Sequence, residues 1–138
     1  MKTRPVLALL AVVLAFTSGF AGARSGDAAE ALHLRLERSA PAADSAVTSP
    51  SEIRLWFSQS TQEGATSIRL LDSAGEPVPT GRVEGSEDDT VHAAPVEHEL
   101  ESGRYTVAWR TMAQDGHVIR GDFEFTVRSA EAPEGSRR

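Results

Sequence analysis

Near the carboxy-terminal end of the chain, Asp115 and His117 stand two residues apart within Gly103-Arg-Tyr-Thr-Val-Ala-Trp-Arg-Thr-Met-Ala-Gln-Asp-Gly-His-Val-Ile-Arg-Gly-Asp-Phe-Glu-Phe-Thr-Val127. The stretch reads as two strands joined by a tight turn. Side chains of a strand repeat every second residue, so an Asp-x-His spacing can aim a carboxylate and an imidazole at one point. Those groups are ligands for a divalent metal, and His33, far upstream at the start of the first expected strand, is a third candidate. A nitrogen and oxygen donor set suits tetragonal Cu(II), and zinc can use the same donors as a tetrahedral ion. The donor set alone leaves that choice open. Asp115-Gly116 also has a purely structural reading, because Asp-Gly is a strong hairpin-turn signal.

The elements that must position these residues are short. His33–Arg38 alternates, with Leu34 and Leu36 on one side and His33, Arg35 and Glu37 on the other. Ser39 to Pro50, rich in Pro, Ala and Ser, reads as a long loop. Ile53, Leu55 and Phe57 then fall in step as a strand, and Ser67–Leu71 is the next. Arg82–Glu84 is a weak strand, and Thr90–Glu99 holds one or two strands interrupted by Pro95. Tyr105, Val107 and Trp109 share one face, as do Phe123, Phe125 and Val127, and both sets are expected core. About seven strands with Gly, Pro and Asp punctuation and no helix period predict an all-β Greek-key sandwich or flattened barrel.

Residues 1–23 carry the pattern of an export signal: Lys2 and Arg4, an apolar run from Val6 to Phe16, then small residues at Ala21-Gly22-Ala23. The expected division is therefore a signal over 1–23, a flexible lead-in over 24–32, one domain over 33–128 and a disordered tail over 129–138. Losing Lys2 and Arg4 with the signal takes the net charge from −6 to −8. An acidic chain whose only lysine is Lys2 is a poor partner for nucleic acid, where phosphate contacts need clustered positive charge. The absence of cysteine removes disulfides, thiolate zinc sites and cysteine nucleophiles together, and it suits an oxidising compartment.

Five stretches occur in an order that resembles one known family. They are His33-Leu-Arg-Leu-Glu-Arg-Ser-Ala-Pro-Ala42, Ile53-Arg-Leu-Trp-Phe-Ser58, Gly103-x-Tyr-Thr-Val-x-Trp-Arg110, Asp115-Gly-His117 and Gly121-x-Phe-x-Phe-x-Val127. Together they resemble CopC, a family of periplasmic copper-resistance and copper-carrier proteins, from His33 to Val127. The resemblance implies a seven-stranded immunoglobulin-like or cupredoxin-like sandwich in the periplasm or another extracytoplasmic space. It implies one Cu(II) ion held by His33, Asp115 and His117, and a monomer that stores copper or hands it to a CopD-like membrane transporter.

Two departures from the family pattern follow from the residues. In the family the first histidine usually opens the mature protein and adds its α-amino nitrogen, whereas a cut after Ala23 leaves nine residues ahead of His33. Some members also carry a methionine-rich Cu(I) site. Here the only methionines are Met1 and Met112, so no such thioether site is expected. Gln59 stands where the family often has an acidic residue near the copper.

The remaining residues have plainer readings. His92 and His98, six apart around Pro95, are expected to face solvent, and Glu87-Asp88-Asp89 reads as a solvated loop. Trp56 and Trp109 are expected to pack. No nucleophile elbow, nucleotide loop or His-Glu-x-x-His is present, so the chain is not expected to be an enzyme. The alternative from another class is a metal-free immunoglobulin-like interaction module.

Overall fold

The computed structural model describes residues 33–130. The expected signal, the lead-in and residues 131–138 of the expected tail lie outside the described residues. Nine strands form two sheets: β1 (Leu36–Ala40), β2 (Ala46–Val47), β3 (Glu52–Phe57), β4 (Ser67–Leu71), β5 (Pro77–Val78), β6 (Glu84–Gly85), β7 (Val91–Pro95), β8 (Gly103–Met112) and β9 (Val118–Val127). One sheet has the order β1-β3-β7-β6 and the other β2-β9-β8-β4-β5. The chain changes sheet five times, between β1 and β2, β2 and β3, β3 and β4, β5 and β6, and β7 and β8, the connectivity of a Greek-key sandwich. The count exceeds seven because β2 and β5 are each two residues long, too short to show a period in sequence, whereas β6 falls at the end of the weak strand expected over Arg82–Glu84.

The core follows the alternation. Ile53, Leu55 and Phe57 from β3 share one core with Tyr105, Val107 and Trp109 from β8, joined by Ile68 and Leu70 from β4 and Phe125 and Val127 from β9 on either side of β8. Phe57 stands edge-on to Trp109 with ring centroids 5.4 Å apart, and Tyr105 stacks on Phe125 at 5.8 Å. The Tyr105 hydroxyl donates to the Glu101 carbonyl at 2.9 Å, so its polar tip is satisfied while its ring is buried.

Three expectations need correcting. The first strand begins at Leu36 and runs to Ala40, so His33 precedes it rather than opening it. The stretch expected as one loop from Ser39 to Pro50 contains β2, which pairs parallel with the end of β9. Trp56 packs as expected, half-buried on the outer face with the Arg38 guanidinium 3.9 Å above its ring.

His92 is the third correction. It occupies an inward slot of β7 and is 3% exposed, whereas His98 is exposed as expected. Its Nε2 lies 2.8 Å from the Thr61 hydroxyl and 3.1 Å from the Asp89 carbonyl. A carbonyl can only accept, so Nε2 carries the proton. Loss of hydration pushes the imidazole's pKa below its ordinary value of 6.5, against an upward pull from the Asp89 carbonyl and carboxylate. As pH falls through ~6.5 the unfolded chain therefore takes up the proton first. The stability contributed by the neutral ring is complete above that pH and is lost as pH falls towards the depressed folded value. Urea midpoints of the metal-free protein should drop between pH 7.5 and 5, and His92→Gln should flatten that slope. An unchanged slope in the variant would assign the pH dependence elsewhere.

Candidate metal centre

Asp115 and His117 sit on the β8–β9 hairpin, whose strands pair without interruption from Gly103↔Val127 to Met112↔Val118. Beyond that last pair, the Ala113 amide donates to the His117 carbonyl at 2.9 Å and the Gly116 amide donates to the Ala113 carbonyl at 2.9 Å. Gly116 has φ +89°, the left-handed conformation that glycine adopts without a Cβ penalty. The result is a three-residue loop, Gln114-Asp115-Gly116, closed by a left-handed glycine.

The turn, rather than strand alternation, brings the two side chains together. Asp115 Oδ1 accepts the His117 amide at 3.0 Å, and Oδ2 lies 2.9 Å from His117 Nδ1. The amide is the main cause holding the Asp115 carboxyl below the usual carboxylate value, with the ring second. With Nδ1–H directed at the carboxylate, the lone pair on Nε2 is available to a metal. Both side chains are open to solvent, at 66% exposure for Asp115 and 82% for His117.

Residues that the sequence did not single out hold this turn to the body. Gln114 donates from its side-chain amide to the Thr61 carbonyl at 2.6 Å. The Gln62 backbone amide donates to the Met112 carbonyl at 2.8 Å, and its side chain donates to the Ala113 carbonyl at 3.2 Å. Thr61, wholly buried, anchors this strip through the His92 ring. The only sequence signal was the polar run Ser58-Gln59-Ser60-Thr61-Gln62, which lacks any apolar period.

His33 reaches the same place by a different route. The neighbouring Leu34 is 5% exposed and pins the segment to the core. The Arg35 amide donates to the Ser58 hydroxyl at 3.1 Å, and the Ser58 amide donates to the Arg35 carbonyl at 2.9 Å. His33 itself is exposed. His33, Asp115 and His117 line one cleft of about 520 Å³, together with Gln59, Gln114 and Val118. Among the described residues, no three His, Asp or Glu side chains are gathered tightly enough to hold an ion as they stand. A larger concavity of about 810 Å³ runs past Glu84, Asp89 and His92. Chemistry, not size, favours the smaller cleft, which has two solvent-open imidazoles and a low-pKa carboxylate.

Comparison with known proteins gives a consistent result. The CopC domain matches residues 36–128, a span that includes Asp115 and His117 and begins three residues after His33. Copper resistance protein C of Escherichia coli is 33% identical over 104 residues, covering 70% of this chain and 82% of that protein. The crystal structure of CopC from Methylosinus trichosporium OB3b superposes with a TM-score of 0.67 at 32% identity, covering 72% of this chain and 98% of that one. PcoC, a methionine-rich copper resistance protein from Escherichia coli, gives a TM-score of 0.63 at 32% identity, covering 70% and 99%.

Proposed function

The chain belongs to the CopC family, and from that premise we propose that it handles copper by binding one Cu(II) ion through His33, Asp115 and His117. The observation that carries the ligand assignment is their placement around one cleft, although they come from opposite ends of the domain. Two neutral imidazoles and one carboxylate leave the bound complex at +1, which a protein of net charge −6 accommodates. Copper tops the divalent affinity order, so it should outcompete zinc on this donor set.

Asp115 has two functions in this reading. Its Oδ1 fixes the backbone of the turn, and its Oδ2, which meets the His117 ring in the unbound protein, would be the oxygen offered to the ion. The unbound pair is thus pre-aligned, and His33 completes the set from the segment ahead of β1. With Met1 and Met112 the only methionines, the site is one for the oxidised ion. The basic, apolar and small-residue pattern of residues 1–23 supports export, and hence a role in storing copper or passing it on outside the cytoplasm.

Titration of the purified protein with Cu(II), followed by EPR, tests the reading. One equivalent should give a single tetragonal signal with nitrogen hyperfine structure, after which added copper stays in solution. Silent or purely aquo-copper spectra would sink it and favour a metal-free interaction module.

A further inference from the structure

The outer face of the five-stranded sheet carries a second feature that the copper reading does not use. Arg110 on β8 and Arg120 on β9 are direct cross-strand partners, and Arg69 on β4 lies one row away, opposite Ala108. Like charges placed directly opposite one another destabilise a sheet. Among the described residues none of the three makes an ion pair. All three are exposed, and they line a single cleft of about 410 Å³. The small side chain of Ala108 leaves the depression between them, and Asp122 is its only acid. A local excess of two positive charges therefore stands on a protein whose net charge is −6.

We propose that this three-arginine cleft docks an acidic peptide segment of a protein partner. Guanidinium groups present paired donors that match carboxylates, which a lysine cannot do. Arg69 and Arg120 flank β8 on either side, so their strands are about 10 Å apart, too far for one small anion to bridge. Two carboxylates on one peptide span that distance. At physiological salt the attraction extends only ~8 Å. A broad anionic surface would therefore also meet the repulsion of Glu124 and the rest of the acidic exterior.

The cleft adjoins the metal-binding turn: Arg120 on β9 lies three residues beyond His117, which immediately precedes that strand, ~10 Å along the extended chain. A partner docked there would have its copper-exchanging groups beside the ion. That consequence rests on the copper reading; the docking itself does not.

The probe is a fluorescein-labelled decapeptide of alternating glutamate and serine, added to the full chain with and without Cu(II). Saturable one-to-one binding is expected, weaker as salt rises, and reduced about tenfold or more in Arg110→Glu/Arg120→Glu. The milder Arg110→Gln/Arg120→Gln should lose binding in the same direction, and thermal melts of both variants show whether they fold. Cu(II) EPR of these variants should match the parent, which separates failure of the docking surface from failure of the metal site. No saturable binding, binding indifferent to charge reversal, or displacement by equimolar inorganic phosphate would overturn the proposal. So would tighter capture by anionic phospholipid vesicles through the same arginines.

Discussion

Replacing His117 by alanine is expected to weaken Cu(II) binding about 100-fold or more and to abolish the tetragonal EPR signal. Loss of a group that merely orients a metal ligand typically costs ~10–100-fold in affinity, so loss of the ligand itself starts at the upper end of that range. The fold should survive, because His117 is 82% exposed, its backbone amide and carbonyl make the bonds that close the turn, and its ring meets the likewise exposed Asp115 carboxylate. His98→Ala, an exposed imidazole outside the cleft, supplies the control and should leave the titration unchanged. Asp115 divides into two tests. Asp115→Asn keeps an oxygen to accept the His117 amide and removes the charge, whereas Asp115→Ala also releases the turn. If Asp115 is a ligand, both lose affinity, and only the alanine variant loses stability as well. Stoichiometric, tight copper in His117→Ala would remove the hairpin from the site.

How much of this was legible in the sequence depends on whether a residue's environment is set locally. Tyr105, Val107 and Trp109 sit in a ten-residue strand whose apolar frame is uninterrupted, and all three are buried. Gly116 follows Asp115 in a pattern that requires a left-handed residue, and it has φ +89°. His92 was misread because Val91-His-Ala-Ala offers no dominant apolar frame. Its burial depends on partners more than two residues away, Thr61 and Phe57. The approach of His33 to the hairpin was likewise not readable from spacing. It depends on Leu34 entering the core and on Ser58 tying down Arg35. Nor does the Asp-x-His spacing act as expected. Strand alternation suggested the pairing, but a turn with a left-handed glycine produces it.

The strongest test of the packing that holds the hairpin against the other sheet is Gly121→Ala. A Cβ at this position would lie 2.7 Å from Trp109 Cζ2 and 3.0 Å from Cε2. Gly121 is the cross-strand partner of Trp109, so the indole lies across the space a side chain would occupy. It cannot simply withdraw. Phe57 packs edge-on against it at 5.4 Å, and His92 stands behind Phe57 at 5.9 Å. The Gly121 backbone is outside the left-handed region, so alanine incurs no conformational penalty there. By chain entropy alone the substitution would stabilise by ~0.4–1 kcal/mol. Overpacking should reverse that sign and cost about 1–3 kcal/mol, read as a lower urea midpoint at unchanged slope. Trp109→Phe shortens the ring that clashes, so Gly121→Ala should cost less in that background than in the parent, a favourable coupling between the pair. An alanine variant as stable as the parent would mean that the indole has room to move. The hairpin carrying Asp115 and His117 would then be less firmly seated on the core than its contacts imply.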